Sequence, residues 1–474
     1  MSLRTVDAAL STIADYVTNP APLSKLAYTT ARYCLMDALG CAILALQYPA
    51  CTKLLGPIVP NTTIPHGARV PGTNYVLDPI QAAFNIGTLI RWLDFNDTWL
   101  AAEWGHPSDN LGAILACADY QSQQCARQGK KPLHMKDVFT AMIKAYEIQG
   151  ILALANSFNR YGWDHVILVR LASTAVATAL LDGTPEQITA ALSQAFIDGA
   201  TLRIYRHAPN TGSRKSWAAG DATSRAVRLA WLTMQGERGC PTPLTTPHWG
   251  FNDVILHGNP LQFVKPFTSY VMENILFKVA YPAEFHAQTA VECAIQLHAQ
   301  VKNRLAEIEK IILKTQEPAL RIINKQGVLH NPADRDHCLQ YIVAVALLQG
   351  DLTAADYENA FAADPRIDQL REKMLVEEEK EFSRDYLDPD KRAIANAIQI
   401  FFRDGTKTEN VTVVYPLGHP KRREEGIPLL IKKFEQNMAA HFSDKKIKYF
   451  MELFQKGEVL DAMPVNVFME EFHS

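Results

Sequence analysis

The chain has 474 residues, 48% of them hydrophobic and 20% charged, with a formal net charge of −3. That is more sequence than one hydrophobic core usually serves, so two domains are expected. The near-neutral balance excludes a global attraction to nucleic acid or to an anionic membrane, and neither is expected as a partner.

Uninterrupted apolar runs such as IVAVALL (342–348) are too short to span a bilayer. The N-terminal MSLRTVDAALSTIADYV has no apolar signal core, so a cytoplasmic location is expected. The eight cysteines are scattered without a C-x-x-C, as in a protein that keeps its thiols reduced. The fourteen histidines include no H-x-x-x-H or H-x-H, which argues against a local zinc or iron–sulfur site, and no metal or cofactor is expected. P-loop, dinucleotide-binding and nucleophile-elbow motifs are missing as well.

In chain order, VDAALSTIADYV, LAYTTARYCLMDALGCAILAL, VFTAMIKAYEIQGILALA and, after a Thr184-Pro185 start, EQITAAL carry apolar residues at helical spacing. After about Lys265-Pro266 the pattern changes. LAEIEKIILKTQ alternates like a strand, and IQIFFRDGTKTENVTVVYP reads as a hairpin around Asp404-Gly405. Helical HAQTAVECAIQLHAQ precedes the strand and helical CLQYIVAVALLQG lies between it and the hairpin, while the acidic EEEKE (377–381) reads as a solvated helix face. The C-terminal PLLIKKFEQNMAAHFSDKKIKYFMELFQK is helical again. The expected organisation is a helical domain from 1–267 and 418–474, with an α+β domain at 268–417.

Four stretches carry chemistry. LDFNDTWLAAEWGHPSDN (93–110) interrupts two apolar helices with Asp94, Asp97, Thr98, Glu103, His106 and Asp109. Pro107 stops helix at His106, and Ser108 or Asp109 is placed to cap the next helix. His106 is thus presented from a loop near a helix N-terminus, which suits anions. The competing reading makes the aspartates caps and Trp99 and Trp104 core. The second stretch, from Leu202 to Trp217, holds Arg203, Arg206, Arg214, Lys215 and His207 with no acidic residue, before a strong helix. Such a cluster suits a carboxylate-rich or phosphorylated ligand. A solvated basic loop is the competing reading. The third, FKVAYPAEFHAQ, sets Lys278, Tyr281, Glu284, His286 and Gln288 around Pro282; the competing reading is a connector. The fourth, HNPADRDHCLQY (330–341), either faces a cleft or caps its helix.

LDFNDTW with GHPSDN, then GSRKSWAAGDATSRAVRLA, KVAYPAEFHAQTAVE, NPADRDHCLQY and DPDKRAIANAIQIFFRDGT, resemble the MmgE/PrpD family over nearly the whole chain, and within it the branch that dehydrates 2-methylcitrate. The resemblance implies a mainly α fold, with a large helical domain and a smaller α+β lid, in a homodimer. It implies a hydro-lyase that forms 2-methyl-cis-aconitate in propionate catabolism without an iron–sulfur cluster, acting on a small tricarboxylate, with interconversion of citrate and cis-aconitate as a further activity the resemblance admits. The alternatives are a cis-aconitate decarboxylase-like enzyme of the same superfamily and a non-catalytic tricarboxylate-binding protein. Carried over by position, the family's aspartate, threonine and histidine fall on Asp94, Thr98 and His106, and its lysine on Lys215. A histidine of the decarboxylase branch falls on Gln288, with His286 two residues earlier. The catalytic set is therefore Asp94, Thr98, His106, Lys215 and His286. Arg206, Arg214, Lys278, Tyr281 and Gln288 are the substrate-binding set.

Overall fold

The computed structural model describes residues 6–19, 22–198, 201–207 and 209–473; residues 1–5, part of the N-terminal reading above, lie outside them. Its larger core is built from helices. Lys25–Ala45 starts at Ser24, whose hydroxyl accepts from Ala27 N at 3.0 Å. Pro79–Arg91 starts at Asp78, which accepts from Ile80 and Gln81 N, and Pro185–Ile197 starts with a Thr184/Gln187 capping box. Leu111–Arg127, Met135–Ala155, Val166–Leu180 and Arg214–Met234 complete the group.

Small residues let three of these helices meet backbone to backbone. A Cβ on Gly87 would lie 2.8 Å from Gly220 Cα, one on Gly220 2.5 Å from Phe84 O, and one on Gly112 2.7 Å from Ala83 O. Thr223 Oγ1 donates across the same seam to Ala83 O at 3.2 Å. This close approach fixes the end of Pro79–Arg91 against the start of Arg214–Met234, and so brings Arg91 and Lys215 towards one place.

Helix Met135–Ala155 is long and apolar enough to cross a membrane by composition, although 83% of that window is buried within the fold. Short uninterrupted runs hid this, because Lys144, Glu147 and Gln149 break the sequence. Each is satisfied inside: Lys144 Nζ donates to Val17 O at 2.6 Å, and Glu147 accepts from Thr268 and Val271 N at 2.8 Å.

A second core runs from Ala283 to Val411. Helices Gln288–Val301 and Leu339–Gln349 contribute to it together with a four-stranded sheet ordered Met374–Glu378, Ile308–Thr315, Asn396–Phe402, Val411–Val413. The first pair is parallel, with Ile311 opposite Met374; the others are antiparallel, with Ile311 opposite Ile400 and Ala397 opposite Thr412. The expected turn at Asp404-Gly405 is present: Gly405 has φ 84°, and Asp404 Oδ1 accepts from Thr406 N at 2.9 Å. The acidic run is not one helix face, as the sequence suggested. Met374–Glu378 is an edge strand, and helix begins only at Lys380. Charges on a strand at a sheet edge discourage further pairing, which explains the composition equally well.

The chain crosses between the cores twice, side by side. Phe277 N donates to Gly418 O at 3.1 Å, and a Cβ on Gly418 would sit 1.7 Å from Phe277 O. After the return, Arg423–Met438 packs against Lys25–Ala45 and buries Phe434. Its Lys433 is a buried cross-link. Lys433 Nζ pairs with Asp37 Oδ1 at 2.6 Å and donates at 2.7 Å to the carbonyls of Phe95 and Lys278.

Candidate active site

The interrupted stretch 93–110 forms the floor of a cleft between the two cores. Asp94 has φ 50°, a left-handed conformation costly for a residue with a side chain and common at functional sites. Thr98 then pairs with Leu276 in both directions, N to O at 2.8 and 3.0 Å, which docks the loop on the first crossing segment. Trp99–Leu100 and Trp104–Gly105 make a short antiparallel ribbon, and Trp99 Nε1 donates to Gly150 O at 3.1 Å. Ser108 does not cap the following helix, contrary to expectation. Its N and Oγ donate to Asp97 Oδ1 at 3.0 and 2.7 Å, while Tyr146 OH donates to Asp97 Oδ2 at 2.6 Å. Asp97 is therefore the staple of the loop, and its own carbonyl receives His106 Nδ1 at 2.7 Å.

That contact defines the histidine chemically. A carbonyl only accepts, so Nδ1 carries the proton and the neutral ring presents a bare Nε2. Burial, then the charge of Arg91, holds the His106 imidazolium well below the usual range. Nε2 lies 3.5 Å from Asp94 Oδ1, and Thr98 Oγ1 is 3.3 Å from Nδ1.

Asp94 is the hub. Burial pushes its carboxyl up, but Arg91 and Lys278 overcome this and hold it well below the carboxylate range. Arg91 Nη1 donates to Oδ1 at 2.7 Å and Lys278 Nζ to the same oxygen at 2.6 Å. His337 Nε2 faces Oδ2 at 3.7 Å. His337 in turn touches Asp336 Oδ1 through Nδ1 at 2.8 Å, and Lys215 Nζ donates to both Asp336 oxygens at 2.6 Å. Burial drops His337 to about 4 and lowers Lys215 and Lys278 as well. On a further wall, Arg206 holds Asp164 with Nε and Nη2 at 2.5 and 3.1 Å, and Arg203 lies over the Trp104 ring.

Asp94, Thr98, His106, Lys278 and Arg206 thus line one cleft, and Lys215 reaches its edge through Asp336 and His337. The other expected residues stand elsewhere. His286 is fully buried behind the lining residue Glu284, with Nδ1 on Glu284 Oε1 at 2.8 Å and Nε2 on Tyr386 OH at 3.2 Å. Gln288 donates to the carbonyls of Tyr281 and Ala283 at 2.9 and 3.0 Å and so braces the crossing turn. Tyr281 packs on the smaller core. Arg214 points outward, stacked on Trp217 at 4.4 Å and 3.6 Å from Asp221.

Sequence reading missed Arg91, His165 and the direct part of His337. His165 lines the cleft fully buried, and among the described residues neither ring nitrogen has a hydrogen-bond partner. Asp164-His165, a polar pair ahead of the apolar VILVRLA helix, was the available signal. Asp94, Asp336 and His337 bring ligand atoms within 4.8 Å of one another, a spacing that would suit a cation. Arg91, Lys278 and Lys215 already neutralise both carboxylates, so the donor set favours an anionic guest over a metal ion.

Two family models match, the MmgE/PrpD N-terminal domain over residues 11–264 and the MmgE/PrpD C-terminal domain over 281–455. The chain is 58% identical over 467 residues to a 2-methylcitrate dehydratase of Escherichia coli K12, covering 98% of this chain and 97% of that one. It is 59% identical over 469 residues to the 2-methylcitrate dehydratase of Cupriavidus necator, with the same coverage of each chain. The mitochondrial 2-methylcitrate dehydratase of Yarrowia lipolytica is 55% identical over 447 residues, 93% of this chain and 86% of the relative. The chain belongs to the MmgE/PrpD family, and its fold is the mainly α, two-domain fold expected of it.

Proposed function

We propose that the protein is a hydro-lyase that dehydrates 2-methylcitrate to 2-methyl-cis-aconitate. The observation that carries this reading is the bare His106 Nε2 beside an ionised Asp94, in a buried cleft lined by Arg91, Arg203, Arg206 and Lys278. Near-full-length identity to enzymes of that name supports the substrate.

The reaction removes a poorly acidic proton α to one carboxylate and a hydroxyl from the adjacent carbon. The cations hold the carboxylates and stabilise the charge that grows on one of them as the C–H bond weakens. His106 Nε2 takes the proton, and the C–H electron pair becomes the alkene as the C–O bond breaks. The leaving oxygen takes a proton from Lys215, whose acidity burial has raised, and departs as water. Transfer of a proton from His106 back to Lys215 restores the site. Asp94 stabilises the imidazolium that forms; Thr98 orients the ring. We place the reaction in the cytoplasm, in a homodimer.

The test is a product analysis by proton NMR with 2-methylcitrate, citrate and cis-aconitate supplied separately. Conversion of 2-methylcitrate to its alkene ahead of citrate is expected. Release of carbon dioxide from cis-aconitate, with no alkene from 2-methylcitrate, would replace the reading with a decarboxylase.

A further inference from the structure

A second cavity, of about 530 Å³, opens on the smaller core and takes no part in the chemistry above. Three cationic side chains line it: Lys325, Arg335 and Arg371. Two of them have buried N–H groups left over. Among the described residues, the buried Lys325 Nζ has no hydrogen-bond partner and makes only a loose ion pair with Asp334 Oδ1 at 3.5 Å. The Arg371 side chain is 10% exposed, and its Nε also lacks a hydrogen-bond partner among the described residues. Its Nη atoms are engaged, by Asp368 and by Gly327 O. Arg335 is spent on Tyr357 O and Asn359 Oδ1 at 2.6 and 2.9 Å and contributes charge alone. Of the opposing carboxylates, Asp368 and Glu372 are exposed, whereas Asp334, the ion-pair partner of Lys325, is buried.

Buried unpartnered donors on cations are rare and costly, so their pairing in one cavity points to a guest that accepts. The walls add apolar surface from Leu329, Ala362, Tyr341 and Met374. We propose that this cavity binds a small organic oxyanion, its phosphate or carboxylate on Lys325 and Arg371 and its apolar body against Tyr341 and Met374. The cavity stands back to back with the catalytic cleft, since Arg335 lines the one while His337, two residues on, lines the other.

The experiment is calorimetric titration of the full-length protein with phenyl phosphate, benzoate and inorganic phosphate, repeated on Lys325→Met and Asp368→Asn. Lys325→Met is expected to weaken binding about tenfold, the usual scale for losing a charged hydrogen bond. Asp368→Asn, at the exposed rim, frees Arg371 and is expected to tighten it; this arm stands even if Lys325→Met folds poorly. Neither variant should alter turnover of 2-methylcitrate. Phenyl phosphate stronger than benzoate assigns a phosphate ligand, and the reverse a carboxylate. Inorganic phosphate weaker than phenyl phosphate supports the apolar wall. No binding, or binding that both variants leave unchanged and that belongs to the catalytic cleft, overturns the proposal.

Discussion

His106 shows how one hydrogen bond sets a chemical role. The carbonyl of Asp97 fixes the tautomer, and burial keeps the ring neutral. Protonation would remove the lone pair that takes the proton, so acid must inhibit. Because its pKa lies well below the ordinary value of about 6.5, that inhibition sets in only well below neutrality. A profile of kcat/KM against pH is expected to be flat through about 6.5 on its acid side; an acid limb centred there would contradict a neutral His106. His106→Gln is expected to lower kcat by about 10²- to 10⁴-fold, the usual worth of a positioned base. Asp94→Asn removes the anion between Arg91 and Lys278. Two buried cations then face each other, and a loss of about 3–5 kcal/mol in denaturant stability is expected beside the loss of activity.

At the scale of elements, the site depends on where helices end. Arg91 closes Pro79–Arg91, Lys215 lies in the first turn of Arg214–Met234, and the Gly87–Gly220 seam sets their separation. Gly220→Ala puts a methyl group 2.5 Å from Phe84 O and must force the helices apart. A stability loss of about 1–3 kcal/mol is expected by thermal or denaturant melting, with a fall in kcat as Lys215 moves. Helical spacing and punctuation made most of these elements legible: Thr184-Pro185 and the Asp404-Gly405 turn both act locally, where sequence can be read. Arg91 carries no signal in the sequence, because its partner Asp94 turns back through a left-handed backbone that spacing does not foretell. Arg214 and Gln288 were misleading for the opposite reason. Both lie close in sequence to residues at or near the cleft, but one points outward onto Trp217 and the other folds onto its own turn.

At the scale of the molecule, the cleft as it stands is nearly shut. Its free volume is about 20 Å³, room for roughly one water. A tricarboxylate can enter only if the cores separate. The mouth is bridged by Arg321, whose Nη1 donates to Asn159 Oδ1 at 2.8 Å and whose guanidinium lies 5.3 Å from the Trp104 ring centre. Arg321→Ala is expected to weaken the closed state and raise KM roughly two- to fivefold, the worth of an exposed ion or hydrogen-bond pair, with a smaller change in kcat. Such closure would exclude water and tighten the cations around the substrate. The contacts that bridge the cores, including Lys215 to Asp336 over 121 residues, join positions too distant for any local pattern to reveal.

The most direct measurement is ultraviolet absorbance of the conjugated alkene after 2-methylcitrate is added to enzyme pre-treated with EDTA, with His106→Gln alongside. A steady rise with the unaltered protein, nearly abolished in the folded variant, is the expected result. An unchanged rate in the variant would contradict the role of His106, and no rise with the unaltered, folded protein would contradict the dehydratase itself.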